Sequence, residues 1–158
     1  MAGVVRTVRE GALGWVIFDH EERRNAINAA MWEAIPQAMA DMVADPEVRV
    51  VLLRGAGEVA FVSGADISEF GTLRTGAAAS SYDANNSKAF AAIGDCPKPV
   101  IAMIHGFCVG GGAANMLRPM VLLKPLPRSR ARGPASHTVR AFFSGWGFLS
   151  PGASLRLL

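Results

Sequence analysis

Two periods of hydrophobic and polar positions run along this chain. Val4 to Val8 and Leu13 to Phe18 are apolar, β-branched runs separated by Glu10-Gly11, which predicts two strands of a hairpin. Glu21-Glu22-Arg23-Arg24-Asn25 is a polar loop, and Asn28 offers a side-chain oxygen to cap the helix that follows. In that helix Met31, Ile35, Met39 and Met42 recur at helical spacing and form one core-facing stripe. Pro36 lies inside it and is expected to kink it or shift its start, because the ring removes a backbone donor. Asp45-Pro46 ends it.

Val48 to Leu53 is a nearly continuous apolar run, the pattern of a strand buried on both faces. A glycine-bearing loop, residues 55–65, surrounds the short apolar piece Ala60-Phe61-Val62. Ser80 to Asp95 reads as a helix with Ala89, Phe90 and Ile93 on its apolar side. Pro97 and Pro99 break the chain, Val100 to Ile104 is a further strand, and His105 to Gly112 is a loop closed by three glycines that leads into a helix at Ala113-Ala114. Strands alternating with helices predict an α/β layer architecture. Beyond Asn115 no period is legible, and no segment repeats another.

Composition narrows the class. The chain has 158 residues, 51% of them hydrophobic, which suits one domain with a real core. No apolar run approaches the roughly 20 residues that span a bilayer, and the first residues lack the apolar core of a signal peptide. The expectation is a cytoplasmic protein with neither membrane nor nucleic acid as partner. Cys96 and Cys108 have no ligand-like spacing and read as small buried fillers, with no metal site. The net charge of +3 hides a split. Residues 1–114 hold all 13 acidic residues and 9 basic ones, whereas residues 115–158 hold 7 basic residues, no acidic ones and five of the nine prolines. A soluble domain normally mixes both signs over such a length. The expected organisation is therefore 1–114 as the folded unit and 115–158 as an atypical, basic, acid-free tail, open and poorly packed.

Gly55-Ala56-Gly57-Glu58-Val59-Ala60 follows a strand and matches a dinucleotide-binding fingerprint, but that motif needs a helix to start at its glycines. Phe61-Val62-Ser63-Gly64 is a poor helix start. A second feature is the pair of glycine loops, Phe61 to Ile67 and His105 to Gly112, each between a buried strand and expected helix. Such a junction leaves backbone N–H groups unpaired and partially positive. Two of them aimed at one point make an oxyanion hole, which needs no side chain, only backbone that approaches closely. Each alone is also an ordinary glycine turn. His105 beside the second loop reads as structural.

Taken in order, these segments resemble the enoyl-CoA hydratase/isomerase (crotonase) family. Arg24-Asn25-Ala26-Ile27-Asn28 is similar to its Asn-Ala-Leu-Asn segment, and Asp45-Pro46-Glu47-Val48-Arg49 to its Asp-Pro-x-Val-Arg strand. Phe61 to Ile67 is similar to its Phe-x-x-Gly-Ala-Asp-Ile loop, and Lys98-Pro99-Val100-Ile101-Ala102 through Gly112 to its Lys-Pro-x-Ile-Ala strand and triple-glycine turn. The four motifs fall in family order across residues 4–114. The resemblance implies an α/β crotonase (ClpP-like) fold of stacked β-β-α units, truncated here after the triple-glycine loop. It implies an acyl-CoA thioester as substrate, no tightly bound cofactor, and a homo-trimer or hexamer in complete members. It assigns the backbone N–H groups of Ala65 and Gly111 to the oxyanion hole. The coenzyme A nucleotide falls to Arg24, Ala26 and Asn28 and to the backbone of Ser63, Ala65, Asp66 and Ile67, with Asp66 a structural and adenine-loop residue.

The pattern then breaks. Hydratases of this family move protons with two glutamates. The first falls on Ala114, and the tail has no acidic residue to stand as the second. Asn115-Met116-Leu117-Arg118-Pro119 does not continue the family's alanine-rich helix. Loss of acids with gain of arginine, proline and serine is the composition that a change of reading frame in GC-rich DNA gives. The expectation is a family member that binds an acyl-CoA thioester but is catalytically incomplete, with a non-catalytic acyl-CoA-binding or subunit-interaction protein as the alternative.

Overall fold

The structure is a computed structural model that describes residues 2–73, 77–109, 121–124 and 140–142. It opens with the hairpin that the alternating pattern predicts: β1 (Val4–Glu10) pairs antiparallel with β2 (Leu13–Asp19), turning through Gly11 at φ +57°. A left-handed turn with nothing near its Cβ position is glycine's ordinary niche. Helix α1 (Ala29–Ala44) follows and is capped by Asn28, whose Oδ1 accepts from the Met31 N–H at 2.8 Å. Its predicted stripe of Met31, Ile35, Met39 and Met42 is buried, together with Trp32. Pro36 lies within the helix without ending it, so tertiary packing outweighs the lost backbone bond.

The chain then climbs in repeating steps. β3 (Val50–Gly55) lies parallel to β2, and the chain crosses to β4 (Ala60–Val62), passes the short helix α2 (Phe70–Leu73), and runs through α3 (Ala77–Gly94). β5 (Val100–Met103) returns parallel to β3, and β6 (Phe107–Cys108) crosses to lie parallel to β4. Each step thus places one strand in a large sheet and one in a small sheet, which is the stacked β-β-α arrangement expected. β7 (Val121–Lys124) and β8 (Arg140–Phe142), in a region where the sequence shows no period, extend the large sheet to the order β1-β2-β3-β5-β7-β8. The tail therefore contributes strands that its composition did not reveal.

The core lies between the large sheet and the two long helices. Val16, Phe18, Val51 and Leu53 of the sheet are fully buried with Trp32, Ile35 and Ile93 of the helices. Trp32 donates its indole N–H to the Tyr82 hydroxyl at 3.2 Å, joining α1 to α3 and satisfying a buried donor. Lys98, read from sequence only as part of a motif, donates its ammonium to the Met42 and Asp45 carbonyls at 2.7 and 2.6 Å. It caps the negative end of α1, and this fixes where the Pro97–Pro99 segment turns into β5.

Candidate active site

Three loops meet at the edge of the small sheet. The first, residues 20–28, enters α1. Arg24 and Asn25 both adopt left-handed backbone there, at φ 52° and 54°. Bulky residues seldom take that conformation, and asparagine takes it most readily. Asn25 is buried and its side chain is fully engaged. Its Nδ2 donates to the Ala56 and Ala60 carbonyls at 2.9 and 2.7 Å, and its Oδ1 accepts from the His20 N–H at 3.0 Å. The sequence offered Asn25 only as part of a motif, and the structure makes it the peg that holds the first loop against the β3–β4 turn. That turn is the Gly55–Ala60 segment. The chain passes through Gly57 at φ +65° straight into β4, with no helix at the glycines, so the segment lacks the geometry of a dinucleotide fingerprint.

The second loop, residues 63–69, is tied to the first loop and to the start of α1. The Ile27 N–H donates to the Gly64 carbonyl at 2.8 Å, the Asp66 N–H to the Ile27 carbonyl at 2.9 Å, and the Ala29 N–H to Glu69 Oε2 at 2.8 Å. Ile27 and Ala65 thus form an isolated parallel bridge. In such a bridge Ile27 bonds to the residues on either side of Ala65, so the N–H and C=O of Ala65 itself turn to the opposite side of the strand. Among the described residues no acceptor takes the Ala65 N–H. A half-buried backbone donor left open beside Gly64 at φ +99° is what an anion-binding position requires.

Asp66 is buried and caps the 3-10 turn Ile67–Glu69. Its Oδ1 accepts from the Ser68 N–H at 3.0 Å and the Ser68 hydroxyl at 2.7 Å. Burial pushes its acidity down, but the two Ser68 bonds, with Arg23 and His20 nearby, outweigh that and hold the carboxyl below the usual carboxylate range. Asp66 is therefore a charged, committed cap. Ser63 donates its hydroxyl to the Arg23 carbonyl at 3.0 Å, Ala26 and Asn28 are buried, and the Ile67 side chain is 76% exposed.

The third loop follows β5. Gly106 sits at φ +54° with the Val59 carbonyl against its Cβ position, and the Phe107 N–H donates to the same carbonyl at 3.1 Å. The Val109 N–H donates to the Val62 carbonyl at 3.2 Å. Because β4 and β6 are parallel, the chain leaves both strands in the same direction, and the two glycine loops start side by side. Gly111 and Ala114 lie outside the described residues. Phe107, for which the sequence gave no signal, is half exposed, and the Arg24 guanidinium carbon lies 4.7 Å from its ring centroid. Burial raises the Cys108 thiol above its ordinary pKa, so it behaves as a neutral filler.

Arg24, Ala26, Asn28, Ser63, Ala65, Asp66 and Ile67 thus come together on the first two loops. Among the described residues no group of three His, Cys, Asp or Glu is placed to hold a metal, and no helix is long and apolar enough to cross a membrane. An apolar groove of about 300 Å³ between α1 and α3, lined by Pro36, Met39, Val43, Ala92, Cys96 and Pro97 among others, touches none of these site residues.

Comparison with known proteins points the same way. Residues 9–118 match the family described as enoyl-CoA hydratase/isomerase. A short-chain-enoyl-CoA hydratase of Clostridium acetobutylicum is 35% identical over 104 residues, which is 66% of this chain and 40% of that protein. A mitochondrial Delta(3,5)-Delta(2,4)-dienoyl-CoA isomerase of Mus musculus is 34% identical over 107 residues, 61% of this chain and 32% of that protein. The crystal structure of an enoyl-CoA hydratase/carnithine racemase from Magnetospirillum magneticum superposes with a TM-score of 0.72 at 42% identity, covering 78% of this chain and 47% of that one. The chain therefore spans about two-fifths or less of the length of these two curated relatives.

Proposed function

Since this chain belongs to the enoyl-CoA hydratase/isomerase family, we propose that it binds an acyl-CoA thioester, with the Ala65 N–H as one donor of an oxyanion hole and the Gly111 N–H as the other. The observation that carries this reading is the Ile27–Ala65 bridge, which leaves the Ala65 N–H turned away from its neighbours. A thioester carbonyl oxygen accepting from that donor would gain negative charge as an enolate develops. One such preorganised donor is worth about 3–4 kcal/mol in a transition state. The parallel exit of the two glycine loops supports a second donor close by. Arg24 and the 63–67 backbone then face the coenzyme A nucleotide, which carries the negative charge.

Proton transfer is a separate matter. Ala114 stands where hydratases carry their first glutamate, and residues 115–158 contain no acid for the second. An alanine methyl holds no proton. The 158-residue chain is thus read as binding and polarising a thioester without hydrating it. Calorimetric titration of the purified chain with crotonyl-CoA tests the reading. Saturable binding that is weakened by Ala65→Pro, which deletes the N–H, is expected. No binding of crotonyl-CoA, or binding indifferent to Ala65→Pro in a chain that still folds, would overturn it.

A further inference from the structure

Arg24 and Phe107 belong to different loops, 83 positions apart in sequence, and meet at the site's edge with the guanidinium carbon 4.7 Å from the ring centroid. Both ends of this contact are held by backbone. Arg24 is left-handed at φ 52°, with its N–H donating to the Glu21 carbonyl at 2.9 Å, and its neighbour Asn25 is locked in place by its buried amide. Phe107 follows left-handed Gly106, and its own N–H is tied to Val59. A phenyl ring 49% exposed on a short strand gains little from burial. Its position is accounted for by the cation lying over its face.

We propose that Phe107 is a positioning residue for phosphate recognition: its ring presets the Arg24 guanidinium to meet the phosphate-bearing part of coenzyme A. This rests on the acyl-CoA reading above. A cation held over a ring face is restrained without spending its N–H donors on hydrogen bonds, and the planar fork of a guanidinium suits phosphate oxygens. Among the described residues no carboxylate pairs with Arg24; the ion pairs there are Arg6–Asp19 and Arg9–Asp45. A free arginine side chain loses rotamer freedom when it binds an anion, and a ring that already restrains it lowers that loss. Phe107 also stands on the strand that leads into the second glycine loop. The same contact therefore ties the nucleotide end of the ligand to the loop assigned to its thioester end.

The test is a double-variant cycle on the full chain, read as coenzyme A affinity by calorimetry. Phe107→Leu keeps an apolar side chain but removes the ring face. It is expected to weaken binding about two- to fivefold, the range of an exposed cation–π contact. Phe107→Tyr keeps the face and is expected to bind like the parent. Arg24→Met is expected to weaken binding more, and adding Phe107→Leu to it should cost nothing further. Arg24→Lys, which keeps charge but stacks poorly, should fall between. Losses that add in the double variant would mean that Phe107 acts on loop structure and not through Arg24, and would overturn the proposal. So would a Phe107→Leu chain that binds coenzyme A as the parent does. If the parent chain itself binds no coenzyme A, the acyl-CoA reading fails and this proposal falls with it; the parent titration separates that case from the other two.

Discussion

The Asn25 amide nitrogen lies 2.7 Å from the carbonyl oxygen of Ala60, and this one bond joins the loop before α1 to the first residue of β4. The same amide reaches Ala56, and its oxygen takes the His20 N–H. All of this is buried. Asn25→Ala would strand two carbonyls and one N–H where water does not replace the partner, and would place a less tolerant residue in left-handed backbone. Stranded buried groups cost about 1–3 kcal/mol each when water cannot reach them. Partial relaxation brings the expected loss to about 2–4 kcal/mol, read from urea denaturation midpoints. Asn25→Asp should be no better than alanine, because it points a carboxylate at two carbonyl oxygens. An Asn25→Asp chain as stable as the parent would show that the peg is not needed.

Two left-handed glycines give a second expectation, because they differ in surroundings. Gly11 has open space where a Cβ would stand, whereas at Gly106 that atom would fall on the Val59 carbonyl. Gly11→Ala is therefore expected to cost only the conformational penalty of about 1 kcal/mol. Gly106→Ala should cost at least about 2 kcal/mol, since backbone must move as well. It should also disturb coenzyme A binding, because Gly106 sets the path into the second glycine loop. Equal losses at the two sites, by thermal or urea unfolding, would contradict the contact geometry.

The contrast between these residues shows what the chain's pattern made legible. Periodicity was enough for the hairpin, for the α1 stripe of Met31, Ile35, Met39 and Met42, and for the strand containing Val51, Leu52 and Leu53. Each is a repeated choice between water and core. Asn28 as a cap was legible because capping is local. The roles of Asn25, Lys98 and Phe107 were not, since each depends on a partner at least 31 positions away. β7 and β8 carry no legible pattern for a related reason. A three- or four-residue strand borrows its stability from the sheet it joins and need not carry a pattern of its own. Arg24 and Ser63–Ile67 entered through motif order, and spacing alone would not have distinguished them from ordinary turns.

Asp66 makes acid sensitivity predictable in sign. Its folded carboxyl releases a proton more readily than the unfolded one, whose pKa is about 4. The unfolded chain thus binds more protons as pH approaches 4 from above, and stability falls there. The contribution is fully present above the unfolded pKa and is lost as pH drops through the lower folded value. Asp66→Asn keeps an acceptor for Ser68 but does not titrate. Melting temperatures taken from pH 6 to pH 2.5 should fall more steeply below pH 4 for the parent than for Asp66→Asn. Parallel curves would mean that Asp66 adds nothing to acid lability.

Catalysis by the 158-residue chain gives the last expectation. A polarised thioester lowers the barrier to adding water, but water must still lose one proton and the α-carbon must gain one. Positioned acid–base groups each contribute roughly 10²–10⁴-fold to such transfers. Ala114 offers neither, and no Asp or Glu follows it. Asp66, the one buried carboxylate among the described residues, is held by Ser68 below the usual carboxylate range and is a weak base. Hydration of crotonyl-CoA, followed by loss of the conjugated thioester's absorbance, should therefore stay at background even at saturating substrate. On the reading that residues 115–158 supply no second proton carrier, Ala114→Glu alone should leave it far below ordinary enzyme rates. Turnover by the parent chain would place a proton carrier among residues other than these. Full turnover by Ala114→Glu would instead show that one carboxylate suffices here.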